Sequence, residues 1–273
     1  MKAAAFEYLK AGDVAGAVKA LAGAAGEAKA LGGGQSLGPM LNLRLTRPKL
    51  LVDVSRLDAM RAIEDKGAAW RFGGAVTHSA IEDAKLPGCT VMSDVAKGIA
   101  YRTIRNRGTI GGSLAHADPA ADWPLALPAL GATIFISGPA GERSVPAADF
   151  MKGAFATVLA EDELVVAVEV PKLSASARWG YWKFCRKTGE FPEASAAMLL
   201  DPEHKVARLW VGALNGAPQS LDRLAADLAM RGSLAASETA VSAALELSAP
   251  EPDPILRRLQ VTAVRRAVQK GFA

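Results

Sequence analysis

The chain has 273 residues, half of them hydrophobic, and 32 basic residues stand against 28 acidic ones for a formal charge of +4. That length exceeds what one average domain needs, so two domains are expected, while the lack of any block of five like charges excludes an electrostatic nucleic-acid surface. Only two cysteines occur, Cys89 and Cys185. With no CxxC and no histidine at ligand spacing, they exclude a metal centre or disulfide framework in this chain. No run of 18 apolar residues is present, and the N-terminal stretch carries acidic residues where a signal peptide would be basic and then apolar. A cytoplasmic chain without a transmembrane segment is expected.

The opening MKAAAFEYLKAGDVAGAVKAL has helical periodicity. Asp13 is placed to cap a helix whose apolar face is Val14, Ala17, Val18 and Leu21, ending at Gly23 or Gly26. AKALGGG then reads as a short strand entering a turn, and Leu50 to Val54 as a strong strand, giving this part a βαβ character. Arg61 to Gly74 suggests a hairpin or two short strands, and Thr77 or Ser79 can cap a helix beginning IEDA. Residues 92–106 place apolar groups at helical spacing up to Gly108. DWPLALPALGA predicts another helix, broken by Pro128, before the strand TIFISG. Residues 164–171, 181–187, 196–201 and 206–214 read as strands of an antiparallel sheet. From Leu221 the pattern is helical again, with a cap at Ser237 or Thr239 and a last helix carrying Arg257, Arg258, Arg265 and Arg266 on one broad face. A composition change near residues 173–180 places the expected boundary between domains 1–174 and 175–273.

Two glycine stretches carry the chemistry. Gly32, Gly33 and Gly34, followed by Gln35 and Ser36, make a poor helix interior and a poor strand interior, so the chain turns there with its backbone bare. Thr109, Ile110, Gly111, Gly112 and Ser113 again remove side chains from consecutive positions, with hydroxyls on either side. Neither stretch matches GxGxxG opening a Rossmann helix or a P-loop, but two bare segments about 75 residues apart suit a diphosphate held from two sides. The basic run Arg102 to Arg107 leads into the second stretch, where positive charge favours phosphate. His116, Asp118 and Asp122 follow closely, whereas His78 and His204 read as surface residues.

With these stretches placed, the chain resembles the FAD-binding medium subunit of the molybdenum hydroxylases, the family of carbon monoxide dehydrogenase and xanthine dehydrogenase-type enzymes. Gly32 to Pro39 is similar to the family's Ala-Gly-Gly-His-Ser loop, and Thr109 to Ser113 to its Thr-Ile-Gly-Gly-Asn, followed by the acidic ADPAAD. LVDVSRL, FMKGAF, YWKFCRKTGEF and the Arg-rich terminal helix extend the likeness over nearly the whole chain. Gln35 stands where His is frequent, Ser113 where Asn is, and Phe191 where close relatives have Tyr. The resemblance implies an α+β fold: a two-lobed FAD-binding domain of vanillyl-alcohol-oxidase type, then an antiparallel sheet with a helical bundle. It implies that residues 32–36 and 109–113 hold the FAD diphosphate, with Asp118 and Asp122 near the ribityl, ribose or adenine portions. Lys183 would lie by the isoalloxazine and Phe191 would shield one face of it. No catalytic acid, base or nucleophile is demanded, because the cofactor does the redox chemistry. The implied partners are a large molybdenum-cofactor subunit and a small subunit with two [2Fe–2S] clusters, assembled as a dimer of heterotrimers. A self-sufficient flavin oxidase or reductase and a non-catalytic scaffold with a degenerate flavin site stand as alternatives.

Overall fold

The computed structural model describes residues 2–273. Strands β1 (Glu7–Lys10), β2 (Ala28–Leu31) and β3 (Leu50–Asp53) form a parallel sheet in the order β1-β3-β2, with helix α1 (Val14–Gly23) as the crossover and the short α2 (Leu37–Asn42) after β2. Asp13 caps α1 by accepting from the Gly16 N–H at 2.6 Å. Residues 7–10 correct the helical reading of the opening. Pairing with β3 gives their backbone long-range partners, such as the Glu7 N–H to the Lys49 carbonyl at 2.7 Å, and this overrides local periodicity.

The second lobe is a five-stranded sheet. It uses β4 (Ile63–Asp65), β5 (Ala69–Gly73), β6 (Thr133–Gly138) and β7 (Gly141–Pro146), then, beyond the small hairpin β8 (Met151–Gly153) and β9 (Ala156–Thr157), β10 (Leu164–Pro171). The order is β4-β5-β10-β6-β7, with antiparallel neighbours throughout. Helices α3 (His78–Asp83), α4 (Thr90–Lys97), α5 (Arg102–Arg105), α6 (Ile110–His116), α7 (Asp122–Leu130) and α8 (Ala147–Phe150) accompany it. The third part is the sheet β11 (Arg178–Phe184), β12 (Ala194–Asp201), β13 (Val206–Gly212) and β14 (Gln219–Ser220), covered by α9 (Asp222–Arg231), α10 (Glu238–Ser248) and α11 (Pro254–Phe272). Ser237 caps α10.

Strand β10 belongs to the central sheet, not to the later antiparallel sheet in which its sequence had placed it. The reason is visible in its burial. Leu164 and Val166 pack into the core of the first lobe beside Val52 and Leu57, whereas Val165, Val168 and Val170 pack into the core of the second beside Phe72 and Ile134. A strand covered on both faces reads as a continuous apolar run, which is what LVVAVEV is.

Two helix readings also change. Residues 92–106 are not one helix: α4 and α5 are separated by a turn in which Ala100 has φ of 41°. The turn is held by the Arg105 guanidinium, which donates to the Ile99 and Ala100 carbonyls at 2.8 and 3.1 Å. Pro128 does not break α7, which runs to Leu130 and ends on Gly131 at φ of 71°. All nine residues of this helix are buried, with Trp123 and Leu127 in the central core and Leu125 and Ala129 against Ala197 of β12, so packing on two sides outweighs one missing hydrogen bond. In α11, Arg257 lies against Gln260 and Glu246 with its side chain only 13% exposed, so the arginine face is not uniformly solvated.

His78 is the clearest correction: it is buried, and its Nδ1 accepts from the Trp123 indole N–H at 3.1 Å. Burial first, and the nearby Arg105 charge second, lower its pKa to about 4. The unfolded chain binds this proton below about 6.5 whereas the folded chain does so only near 4, so stability is full above pH 6.5 and falls as pH drops toward 4. The loss across that window is expected to be on the order of 3 kcal/mol. Urea titrations of the parent and of His78→Gln, which keeps an acceptor but does not titrate there, check this: the variant's stability should depend less on pH between 4 and 6.5.

Candidate functional site

The glycines after β2 and those before α6 meet. A Cβ at Gly33 would overlap the Arg107 carbonyl, and one at Gly32 would lie 2.9 Å from the Thr109 hydroxyl oxygen. The first lobe and the second therefore touch backbone to backbone. On the other side of α6, a Cβ at Gly111 would stand 2.6 Å from the Gly74 carbonyl oxygen, and the Gly111 N–H donates to that oxygen at 2.9 Å.

The two stretches differ in what they offer an anion. The second is the first turn of α6, not an open loop, and its donors from Ile110 to Ser113 are used. Ile110 N–H reaches the Val76 carbonyl at 3.0 Å, Gly112 N–H the Thr109 hydroxyl at 3.1 Å, and Ser113 N–H the Thr109 carbonyl at 3.0 Å. The first stretch is bare. The main-chain N–H groups of Gly32, Gly33, Gly34, Gln35 and Ser36 donate to no protein acceptor among the described residues; Gln35 instead turns its side-chain amide to the Gly33 carbonyl at 3.3 Å. Successive free donors in a partly buried turn are a concave cradle for phosphate oxygens. Their chemistry fits a diphosphate.

Gly33 and Thr109 also line a cleft of about 730 Å³ between the two lobes. Of the basic run expected to favour phosphate, only Arg107 faces this cleft. Arg105 is buried in a two-point pairing with Glu82 at 2.7 and 3.1 Å, and Arg102 is taken up by Glu82 and Asp83. Tyr8, Lys10, Asp53, Arg56, Arg61 and Asn106 of the cleft were not singled out from sequence. Asp53 at the end of a parallel strand, followed by Ser55 and Arg56, is the signal that could have marked it.

Asp122 and Lys183 come together although 61 residues apart in sequence. Lys183 Nζ donates to Asp122 Oδ1 at 2.6 Å and to the Gly98 carbonyl at 2.9 Å, and the Tyr181 hydroxyl donates to the same Asp122 oxygen at 2.6 Å. Lys183 is thus an anchored cation and not a freely solvated strand lysine. Burial, then the Asp122 charge, raise the Tyr181 phenol well above its ordinary pKa, so it remains a donor. Asp118 lies past the far end of α6. It accepts from the Ala120 N–H at 2.9 Å, and its segment is tied to the hairpin by Phe155 N–H to the Ala117 carbonyl at 2.9 Å. His116 packs against the Phe155 ring at 5.2 Å. Phe191 is 62% exposed in the loop joining β11 to β12, and that loop is held by the Tyr101 hydroxyl donating to the Thr188 carbonyl at 2.8 Å. His204 is half-exposed beside Asp201 at 2.9 Å. Among the described residues, no group of three or more His, Cys, Asp or Glu side chains able to hold a metal occurs, and no helix is long and apolar enough to cross a membrane.

Removing the Asp122 carboxylate would strand a largely buried ammonium and a partly buried phenol. Asp122→Ala is expected to cost about 3 kcal/mol or more in urea unfolding, and Lys183→Met in the same background should recover part of it. Equal stability of Asp122→Ala and the parent would contradict the pairing.

Residues 4–173 match the family model of the FAD binding domain in molybdopterin dehydrogenase. The chain is 32% identical over 281 residues to the 6-hydroxypseudooxynicotine dehydrogenase complex subunit alpha of Paenarthrobacter nicotinovorans, covering 100% of this chain and 95% of that one. It is also 32% identical to the carbon monoxide dehydrogenase medium chain of Afipia carboxidovorans, over 98% of this chain and 97% of the other. Among solved structures, the reconstituted CO dehydrogenase from Oligotropha carboxidovorans superposes with a TM-score of 0.90 at 28% identity, covering 99% of both chains. The α+β architecture read from the sequence is the fold of these proteins. With bare glycine donors at the meeting of two lobes and a match that spans both, this chain belongs to the FAD-binding medium subunits of the molybdenum hydroxylases, a family of oxidoreductases.

Proposed function

We propose that this chain carries FAD and works as the electron-transfer subunit of a heterotrimeric molybdenum hydroxylase. It would receive electrons from two [2Fe–2S] clusters in a small partner subunit after substrate is oxidised at a molybdenum cofactor in a large one, and would deliver them to an external acceptor. The single observation that carries the reading is the row of five free N–H donors at residues 32–36, set beside Arg107. FAD, when bound, exchanges electrons singly or in pairs, which joins iron–sulfur chemistry to a two-electron acceptor. Similarity to medium chains along the whole length supports the partners, and a dimer of such heterotrimers belongs to the same proposal.

The residues divide the work. Gly32 to Ser36 would bind the diphosphate through their N–H groups. Ile110, Gly111 and Gly112, whose donors are already used, would act by packing that sets Thr109 and Ser113 in place. Asp122 holds the Lys183 ammonium in a largely desolvated position, where its charge would favour an anionic reduced flavin ring. Asp118 would lie towards the ribityl, ribose or adenine portions, and Phe191 would cover one face of the ring without the hydroxyl that tyrosine offers.

The test is the visible spectrum of the purified chain before and after FAD is added, with the released cofactor identified. Flavin bands and stoichiometric FAD are expected. In Lys183→Met, FAD should be retained with its two-electron midpoint potential lowered by roughly 30 mV, the shift of about 1.4 kcal/mol for such a couple. A chain that stays colourless with FAD, alone and with its partner subunits, would overturn the reading.

A further inference from the structure

The loop joining β11 to β12, residues 185–193, has little of its own to hold it. Within the hairpin, the Glu193 N–H reaches the Phe184 carbonyl at 2.9 Å, the Glu190 N–H reaches the Lys187 carbonyl at 3.3 Å, and Arg186 pairs with Glu193. Arg186, Lys187, Thr188, Glu190 and Phe191 are all exposed. Few backbone bonds and little apolar burial make such a segment the first to open, so a single tether from elsewhere weighs heavily. Among the described residues, the one hydrogen bond it receives from outside the hairpin runs from the Tyr101 hydroxyl to the Thr188 carbonyl, at 2.8 Å.

Tyr101 holds the next residue as well. Gly189 has φ of 88°, and a Cβ there would stand 2.6 to 2.9 Å from three carbons of the Tyr101 ring. The ring therefore rests against bare backbone where no side chain fits, while the hydroxyl at its tip holds the carbonyl just before. Phe191 follows two residues later, and buried Pro192 comes straight after it. Phe191, 62% exposed, is thus set between two fixed points instead of being folded into a core.

The tether has a firm base. Tyr101 opens α5 just after Ala100, whose φ of 41° is uncommon for a residue with a Cβ. The Arg105 guanidinium holds this turn through the Ile99 and Ala100 carbonyls and is itself fixed by Glu82. The same turn meets the third part of the chain a second time, where the Gly98 carbonyl accepts from Lys183. One turn of the second lobe thus fixes both the Lys183 cation and, through Tyr101, the loop that carries Phe191.

We infer that Tyr101 is a positioning residue: its hydroxyl on Thr188 and its ring on Gly189 hold the β11–β12 loop so that Phe191 stays over the face of the isoalloxazine. What Phe191 covers rests on the flavin reading above; the tether itself does not.

Trypsin cleavage after Arg186 and Lys187, mapped by mass spectrometry on the full FAD-free chain, tests the tether. The Ile104 and Arg105 N–H groups donate to the Tyr101 carbonyl, which any residue supplies, so side-chain substitutions there leave the start of α5 intact. Tyr101→Phe keeps the ring and should speed cleavage about fivefold, as the loss of one ordinary hydrogen bond allows, and Tyr101→Ala roughly tenfold or more. Gly189→Ala should also speed it, and should add less to Tyr101→Ala than it does alone, because the ring it displaces is gone. With FAD bound, flavin emission should rise about twofold or more in Tyr101→Ala and in Phe191→Ala, and no further when the two are combined.

Cleavage as slow in Tyr101→Ala as in the parent overturns the tether, whatever the flavin does. Faster cleavage with flavin emission unchanged leaves a loop contact that does not position Phe191, and overturns the inference. So do emission changes that add in the double variant, since Tyr101 would then act by a route other than Phe191. A chain that never takes up FAD refutes the flavin reading and the role of Phe191 with it, and faster cleavage would then stand for the tether alone.

Discussion

The structure depends on a contact between two stretches of bare backbone. At Gly33 the first lobe presses on the Arg107 carbonyl of the second, and at Gly111 the first turn of α6 presses on Gly74 at the end of β5. No side chain fits at either point. Any Cβ there would push the lobes apart or tilt α6, and with it Thr109 and the floor of the cleft. The glycines thus serve the approach of the lobes first, and the exposure of free N–H groups at 32–36 follows from the turn that this approach requires.

Burial elsewhere reinforces that contact. Strand β10 gives alternate side chains to the cores of both lobes, so the two lobes share a strand's worth of apolar surface. Helix α7 does the same between the second lobe and the last sheet, which explains why every residue on it is buried and why Pro128 is tolerated. Asp122 begins α7, and through Lys183 and Tyr181 it fixes β11 to the turn at Gly98. A charge on the third part of the chain is in this way held against the second.

Much of this was legible in the sequence, and the failures have physical causes. Caps at Asp13, Thr77 and Ser237 could be read because a side chain bonding its own helix is a local matter. The family motif carried the fold class and the two glycine stretches. What could not be read was long-range: the strand at 7–10 exists because β3 lies beside it, the apolar run 164–171 gives no sign of which sheet will take it, and His78 is buried because Trp123, 45 residues away, reaches it. The second glycine stretch looked like an open loop because two glycines are poor helix formers, yet it opens a helix, since only glycine allows α6 to sit so close to Gly74. The cleft residues Tyr8, Asp53, Arg61 and Asn106 lie on different elements, so no sequence window contains them.

How the glycine turns meet a diphosphate depends on which of their backbone donors are free. Amide hydrogen exchange of the full chain, with and without FAD, reads this residue by residue. Slowed exchange at residues 32–36 on adding FAD, with little change at the already bonded amides of 110–113, is the predicted result. Protection confined to 110–113, or none at either stretch while FAD is bound, would contradict the assignment of the first glycine turn as the diphosphate cradle.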